Sequence, residues 1–265
     1  MRSLIKEKRE VAKGTLLVIF DLQGEEVEFR PGQYFWVELP DRGYEDEKGL
    51  RRHISVVTSP TERGVLGLCT RLRDTAFKKT LAELEVGDEV DVEQPKGDWQ
   101  LPEDTSREYV FLAGGIGITV FHSILRYIAD TGEPYRVTVV YSNRDRESTA
   151  FLDELPELAG RIPGCKLVLT MTEDEGWEGE TRYIGPDLLR DHLDCMRDHG
   201  FDLPDPEWTG HGWMITVEDA RSAGVGTPRW KRTAFITCAL VVRGGSPPQM
   251  IREALLHPRH HGSAS

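Results

Sequence analysis

The hydrophobic pattern of this 265-residue chain changes kind once, near residues 101–108, and that change limits what it can fold into. Before it, β-branched and aromatic runs alternate with Gly, Pro and Asp: GTLLVIFDL (14–22), QYFWVEL (33–39), HISVVTS (53–59), VLGLCTRL (65–72) and DEVDVEQP (88–95). Runs of this kind are strands bounded by turns. With MRSLIKEKREVAK (1–13) as a sixth, they predict a closed antiparallel barrel. AFKKTLAEL (76–84) instead has helical spacing at Phe77, Leu81 and Leu84, and ends near Gly87.

After LPEDTSRE (101–108), strands alternate with helices. YVFLAGG (109–115), RVTVVYSN (136–143) and CKLVLTMT (165–172) read as buried strands. ITVFHSILRYIAD (118–130), STAFLDELPEL (148–158) and PDLLRDHLDCM (186–196) read as helices. That order implies βαβ units and a parallel sheet. Two domains are therefore expected, an antiparallel barrel over 1–102 and an α/β domain over 103–256. Within the second, 199–232 has weak periodicity and reads as an irregular insertion. TAFITCALVV (233–242) then resumes as a strand and PPQMIREALL (247–256) as a final helix, with Pro in its first turn. The tail 257–265 is expected to be disordered.

The formal net charge of −12 argues against a nucleic-acid partner, which would call for a basic stripe. No apolar run is long enough to span a bilayer, and the N-terminus lacks a signal-peptide core, so a cytoplasmic protein is expected. The four cysteines, Cys69, Cys165, Cys195 and Cys238, show no C-x-x-C or iron–sulfur spacing, and no metal site is expected.

Three stretches carry chemistry. In FLAGGIGITVF (111–121) a strand breaks into Gly114, Gly115 and Gly117 and a helix follows. Small residues let a ligand approach the backbone, and a helix start offers N–H groups to a phosphate or carboxamide. The strict G-x-G-x-x-G fingerprint is not met, because Val120 takes the third glycine's place. In VYSNRDR (140–146), Ser142, Asn143, Arg144 and Arg146 follow the next strand, where ligands of open α/β sheets bind. They could hold a ribose or an extra phosphate, so NADH and NADPH both stay open. Lastly, Arg51, Arg52, His53, Arg71, Arg73, Lys78 and Lys79 gather in the barrel half. Antiparallel pairing of 53–59 with 65–72 would bring these charges to one groove, suited to a diphosphate.

On these residues the chain resembles the ferredoxin–NADP⁺ reductase-like family of flavin oxidoreductases, from about residue 5 to 195 and again over 235–256. The family's Arg-x-Tyr-Ser motif is Arg52-His53-Ile54-Ser55 here, with Ile54 replacing the aromatic. RPGQYFWVELP (30–40) matches its Pro-Gly-Gln strand, and residues 68–99 match its second flavin segment. GGIGIT (114–119) matches its nicotinamide loop, with Val120 where proline is usual. SPPQM (246–250) resembles its late Cys-Gly-Pro-Pro-x-Met turn, with Gly245 and Ser246 replacing Cys and Gly.

The resemblance implies a six-stranded flavin-binding barrel followed by a parallel-sheet nucleotide-binding domain, with FAD and NAD(P)H as cofactors. It implies that Arg52, His53, Ile54 and Ser55 meet the flavin and that Lys78 and Thr80 meet its phosphates. Gly114, Gly115, Gly117 and Thr119, with Ser142 and Arg144, would meet the nucleotide. Ser55 and Thr119 would lie at the reacting atoms. The expected activity is electron transfer from reduced nicotinamide through FAD to a separate acceptor, ferredoxin or a small molecule. The alternatives are the reductase subunit of a multicomponent oxygenase or electron-transfer complex, and a flavin-binding sensor or interaction module with impaired turnover.

Overall fold

The computed structural model describes residues 1–193 and the backbone of 213–216. The expected strand 233–242, helix 247–256, the SPPQM turn and the tail lie outside the described residues, as do Cys195 and Cys238.

The first sheet has six strands: β1 (Arg2–Ala12), β2 (Thr15–Asp21), β3 (Tyr34–Glu38), β4 (Arg51–Ser55), β5 (Val65–Arg71) and β6 (Glu89–Val92). They run antiparallel in the order β4-β3-β6-β1-β2-β5. Helix α1 (Ala76–Glu83) lies between β5 and β6, and buries Phe77 and Leu81 in the barrel core with Phe20, Phe35 and Leu68. Lys8 Nζ donates to the carbonyls of Ala82 and Leu84, both at 2.6 Å, satisfying acceptors at the end of α1.

The groove expected from pairing 53–59 with 65–72 is built differently. β4 pairs with β3 and β5 with β2, at opposite edges of the sheet. β4 stops at Ser55, and the chain beyond it closes the barrel. Val57 N–H donates to the Gly67 carbonyl (2.9 Å), and Gly67 N–H donates to Thr58 Oγ1 (3.0 Å). The edges thus meet through a two-point contact rather than a ladder, since a strand that turns the barrel corner cannot keep full register.

The second sheet holds β7 (Glu108–Gly114), β8 (Arg136–Asn143) and β9 (Cys165–Met171), mutually parallel, with β10 (Trp213–Thr216) antiparallel to β7. β10 falls within the segment read as irregular, where four residues among glycines and prolines are too short to show a period. Helix α2 (Ile118–Thr131) follows β7 through a 3-10 turn at Gly115–Gly117, and stops at Gly132 with φ +68. Helix α3 (Glu154–Arg161) begins six residues later than the apolar spacing suggests. Asp145 holds the preceding residues in a turn, through Ser148 N–H at 2.8 Å and Thr149 Oγ1 at 2.7 Å, and Phe151 takes φ +60. α4 (Pro186–His192) ends the continuous description.

The two sheets share an apolar seam. Leu17, Val57 and Cys69 of the barrel pack with Phe111, Ile118 and Phe121 of the second sheet and α2. Meanwhile Val18, Phe20, Leu66 and Leu68 point into the barrel core. β2 and β5 therefore read as near-continuous apolar runs because both of their faces are covered. Burial of this kind contributes on the order of 25 cal/mol per Å² of apolar surface, which makes the seam a strong tie between the halves. Among the described residues, no helix is long and apolar enough to cross a membrane.

Candidate functional site: a cationic pocket and a glycine turn joined by one helix

β4 projects its residues to two faces, as the period of a strand requires. Arg52 and Ile54 turn one way, with the Arg52 guanidinium 5.6 Å from the Phe77 ring centroid and Ile54 against the barrel core. Arg51 and His53 turn the other way and are exposed. His53 lies edge-on to Tyr34 (5.5 Å) and Trp36 (5.1 Å), and Arg51 lies over Trp36 and pairs with Glu93. The structure therefore separates His53 and Arg51 from Arg52. Ser55, half-buried, ends the strand.

Arg52 shares its surroundings with the start of α1. Lys78 is half-buried. Burial first, and then the charges of Arg73, Arg52 and Arg71, hold its ammonium below the usual lysine range. Its Nζ donates to the Arg71 carbonyl at 2.6 Å. The charges of Arg52, Arg71 and Arg73 thus act on one ammonium, and like charges so close favour an anion beside them. Lys79 stands outside this group, paired with Asp74. Thr80 is fully buried in the second turn of α1.

One acid enters the pocket. Asp46 accepts from Ala76 N–H (2.8 Å) at the first residue of α1, from Lys48 N–H (2.8 Å) and from Arg52 Nη2 (3.3 Å). The Ala76 bond is the main reason its carboxyl sits below the ordinary range. A carboxylate here marks where an anion is held by a helix start and a guanidinium together. The residues present fit a flavin diphosphate, since the Ala76 N–H and the Arg52 guanidinium already converge on anionic oxygens, those of Asp46. Asp46 lies in the acidic run YEDEKG, which by sequence is indistinguishable from solvated surface.

The second half of the site lies at the carboxyl ends of the parallel strands. Gly114 ends β7 and is level with Ser142 of β8, which is level with Thr170 of β9. Gly115 takes φ +51, a left-handed conformation that glycine adopts without strain, and this lets the chain turn into α2. No side chain caps the start of α2, and the Ile118 N–H is taken up by the 3-10 turn, donating to the Gly115 carbonyl. Thr119 is buried one residue into the helix. Gly114, Gly115, Gly117 and Ser142 are thus brought together. Arg144 is exposed just beyond, while Arg146 is held by Asp174 through two guanidinium contacts of 2.8 and 3.1 Å.

The halves meet along α2, where sequence reasoning singled out nothing. His122 Nδ1 lies 3.0 Å from the Val57 carbonyl, and Ser123 Oγ donates to the Thr58 carbonyl at 2.6 Å. His122 Nε2 lies 3.2 Å from Glu154 Oε2, and Glu154 also receives Arg9 Nη2 at 2.7 Å. The His122 hydrogen bond, and then that of Arg9, pull the Glu154 carboxyl down to about 2. A lone histidine on an apolar helix face gives no sequence signal of a partner 65 residues away.

Residues 3–101 match the model of the oxidoreductase FAD-binding domain, and 111–203 match that of the oxidoreductase NAD-binding domain. The chain is 33% identical over 168 residues to methane monooxygenase component C of Methylosinus trichosporium, covering 63% of this chain and 47% of that protein. It is 26% identical over 202 residues to the glycine betaine monooxygenase reductase subunit of Chromohalobacter salexigens, covering 66% and 54%. The chain thus spans about half the length of these curated relatives. In fold it is similar to the cytochrome b5 reductase domain of Ulva prolifera nitrate reductase (TM-score 0.60, 20% identity, 72% of this chain and 80% of that one). With an FAD-binding domain and an NAD-binding domain in succession, and with that fold, the chain belongs to the ferredoxin reductase-like family of flavoprotein oxidoreductases.

Proposed function

We propose that this protein takes reducing equivalents from a reduced nicotinamide dinucleotide and delivers them, by way of FAD, to a separate electron acceptor. The observation that carries this reading is the pairing of a cationic cluster at α1, where a helix N–H and Arg52 hold a carboxylate, with a glycine turn at the start of α2. Arg52, Lys78 and the start of α1 bind the flavin diphosphate, in contacts that are charge-assisted and so among the stronger hydrogen bonds. Gly114, Gly115 and Gly117 admit the nicotinamide end of the nucleotide, and Ser142 and Arg144 face its adenosine end. Ser55 and Thr119 border the space between the two ligands. The apolar seam excludes water from that space on one side. The bound flavin supplies hydride acceptance and one-electron release, while the protein supplies orientation and electrostatics.

A more specific reading is that the acceptor is the oxygenase component of a multicomponent system. The relatives from Methylosinus and Chromohalobacter, both named as monooxygenase components, favour it over a freely diffusing ferredoxin. Residues 1–102 then serve as the flavin domain and 103–256 as the nucleotide domain.

The test is an anaerobic titration of the flavin-loaded protein with NADH and then NADPH, followed by its visible bands. Bleaching by either nucleotide is expected. A yellow protein bleached by neither would overturn the reductase reading in favour of a flavin-binding module.

A further inference from the structure

The contact between α2 and the strand that follows β4 joins the two half-sites by a very short path. Ser55 is two residues from Val57, and Thr119 is one helical turn before His122. Between them stands a single hydrogen bond, Val57 carbonyl to His122 Nδ1, at 3.0 Å. The neighbouring pair, Thr58 carbonyl and Ser123 Oγ at 2.6 Å, repeats it one residue along. Two consecutive carbonyls held by two consecutive helical side chains fix both the distance and the register of the contact. A slide of either element by one residue breaks both bonds.

The histidine is itself held on every side. Phe151 stacks on its ring with centroids 4.3 Å apart. Phe151 does so from φ +60, a conformation that is costly for a bulky residue. Such conformations persist only where surrounding contacts demand them. Glu154 from α3 faces Nε2, and Arg9 from β1 holds Glu154, with Glu7 beside Arg9. Both neighbours of the ring, the Val57 carbonyl and the Glu154 carboxylate, are acceptors. Both bonds are therefore made only when each ring nitrogen carries a hydrogen. The ring is buried, so the contact is shielded from competing water.

We propose that His122 and Ser123 are positioning residues for hydride transfer, holding the Arg52–Ser55 strand at a fixed distance from the Gly114–Thr119 turn. This rests on the reductase reading above. Both residues are buried. They act through Val57, Thr58 and the first turn of α2. Hydride transfer needs its two ligands in near-contact, and displacement by about 1 Å is enough to cost on the order of a hundredfold in rate.

The test uses the full-length, flavin-loaded protein, with H122L, H122N and S123A. The limiting rate of flavin reduction and the nucleotide Kd are obtained by anaerobic stopped flow, and flavin affinity by titration. H122L is expected to lower the limiting rate by roughly tenfold or more with both affinities unchanged. H122N places an amide N–H at the δ position, can still donate to the Val57 carbonyl, and should recover part of that loss. S123A should lower the rate by a smaller factor, and it decides the matter if H122L does not fold. Unchanged limiting rates in H122L and S123A would overturn the proposal. So would weakened flavin or nucleotide affinity with an unchanged rate, or an H122N no better than H122L. A wild-type protein that neither nucleotide reduces would overturn the reductase reading and this inference together. Reduction of wild type and variants at equal rates would overturn this inference alone.

Discussion

Gly67 of β5 lies directly against Thr58: its N–H donates to Thr58 Oγ1 at 3.0 Å, and a Cβ placed on it would stand 2.8 Å from Thr58 Cγ2. Ile19 Cδ1 would be 2.7 Å from the same atom. The close approach is what lets the chain after β4 cross β5 and close the barrel. Gly67→Ala is expected to destabilise the protein by about 1–3 kcal/mol through overpacking. It should also loosen the Val57–Thr58 segment. Urea unfolding with unchanged m but a lower midpoint would bear this out, and a wild-type midpoint would refute it.

The two faces of β4 make a paired prediction. On the proposed function, Arg52→Ala removes a charge-assisted contact to the flavin diphosphate, worth about 1.5–3 kcal/mol, or roughly ten- to a hundredfold in flavin affinity. Arg51→Ala removes only an exposed contact to Trp36 and Glu93, and should leave flavin affinity unchanged. Flavin titrations of the two variants decide it. Equal affinities would remove Arg52 from the site.

Asp46 is the acid among the cations of the pocket, and its carboxylate opposes a diphosphate there. Asp46→Asn keeps an oxygen for the Ala76 N–H but removes the charge. Flavin should bind more tightly to this variant, most clearly at low ionic strength, where charge effects are least screened. Weaker binding would mean that the carboxylate holds the 41–50 loop in the shape the flavin needs.

Acid stability should report on the tie between the halves. The hydrogen bond from His122, and then that from Arg9, hold the folded Glu154 carboxyl near 2, below its ordinary value. A depressed acid adds stability that is present above its unfolded pKa and is lost as pH falls through the folded one. Its contribution should therefore fade between about pH 4.5 and 2. Partial exposure limits it to about 1–2 kcal/mol. Glu154→Gln should unfold more easily than wild type at pH 7, and the difference should shrink as pH drops through that window. A difference independent of pH would assign the effect to packing.

Cys69 offers a simpler check. Burial pushes its thiol up to about 12, so little thiolate exists near neutrality. It should resist thiol reagents in the folded protein and react only on unfolding, as mass spectrometry of labelled peptides would show.

Much of this protein is written locally. The change of hydrophobic period near residues 101–108 specifies an antiparallel sheet followed by βα units, because side-chain period follows from backbone geometry alone. The Gly114–Gly117 turn is legible for the same reason, since a strand running through glycines into a helix has few other conformations. Arg52 is visible through its strand motif. What required the tertiary structure is everything set by contacts distant in sequence. β4 and β5 lie at opposite edges, and the barrel closes through Val57, Thr58 and Gly67. His53 and Arg51 leave the face that Arg52 occupies, because successive residues of a strand point to opposite sides. Thr80 is buried where helix phase points it into the barrel. Asp46 reaches Ala76 across 30 residues, and His122 reaches Val57 across 65. No local pattern encodes such pairs. A hydrogen bond between distant segments depends on where the packed sheets place their ends, and that placement exists only once the shared core has formed.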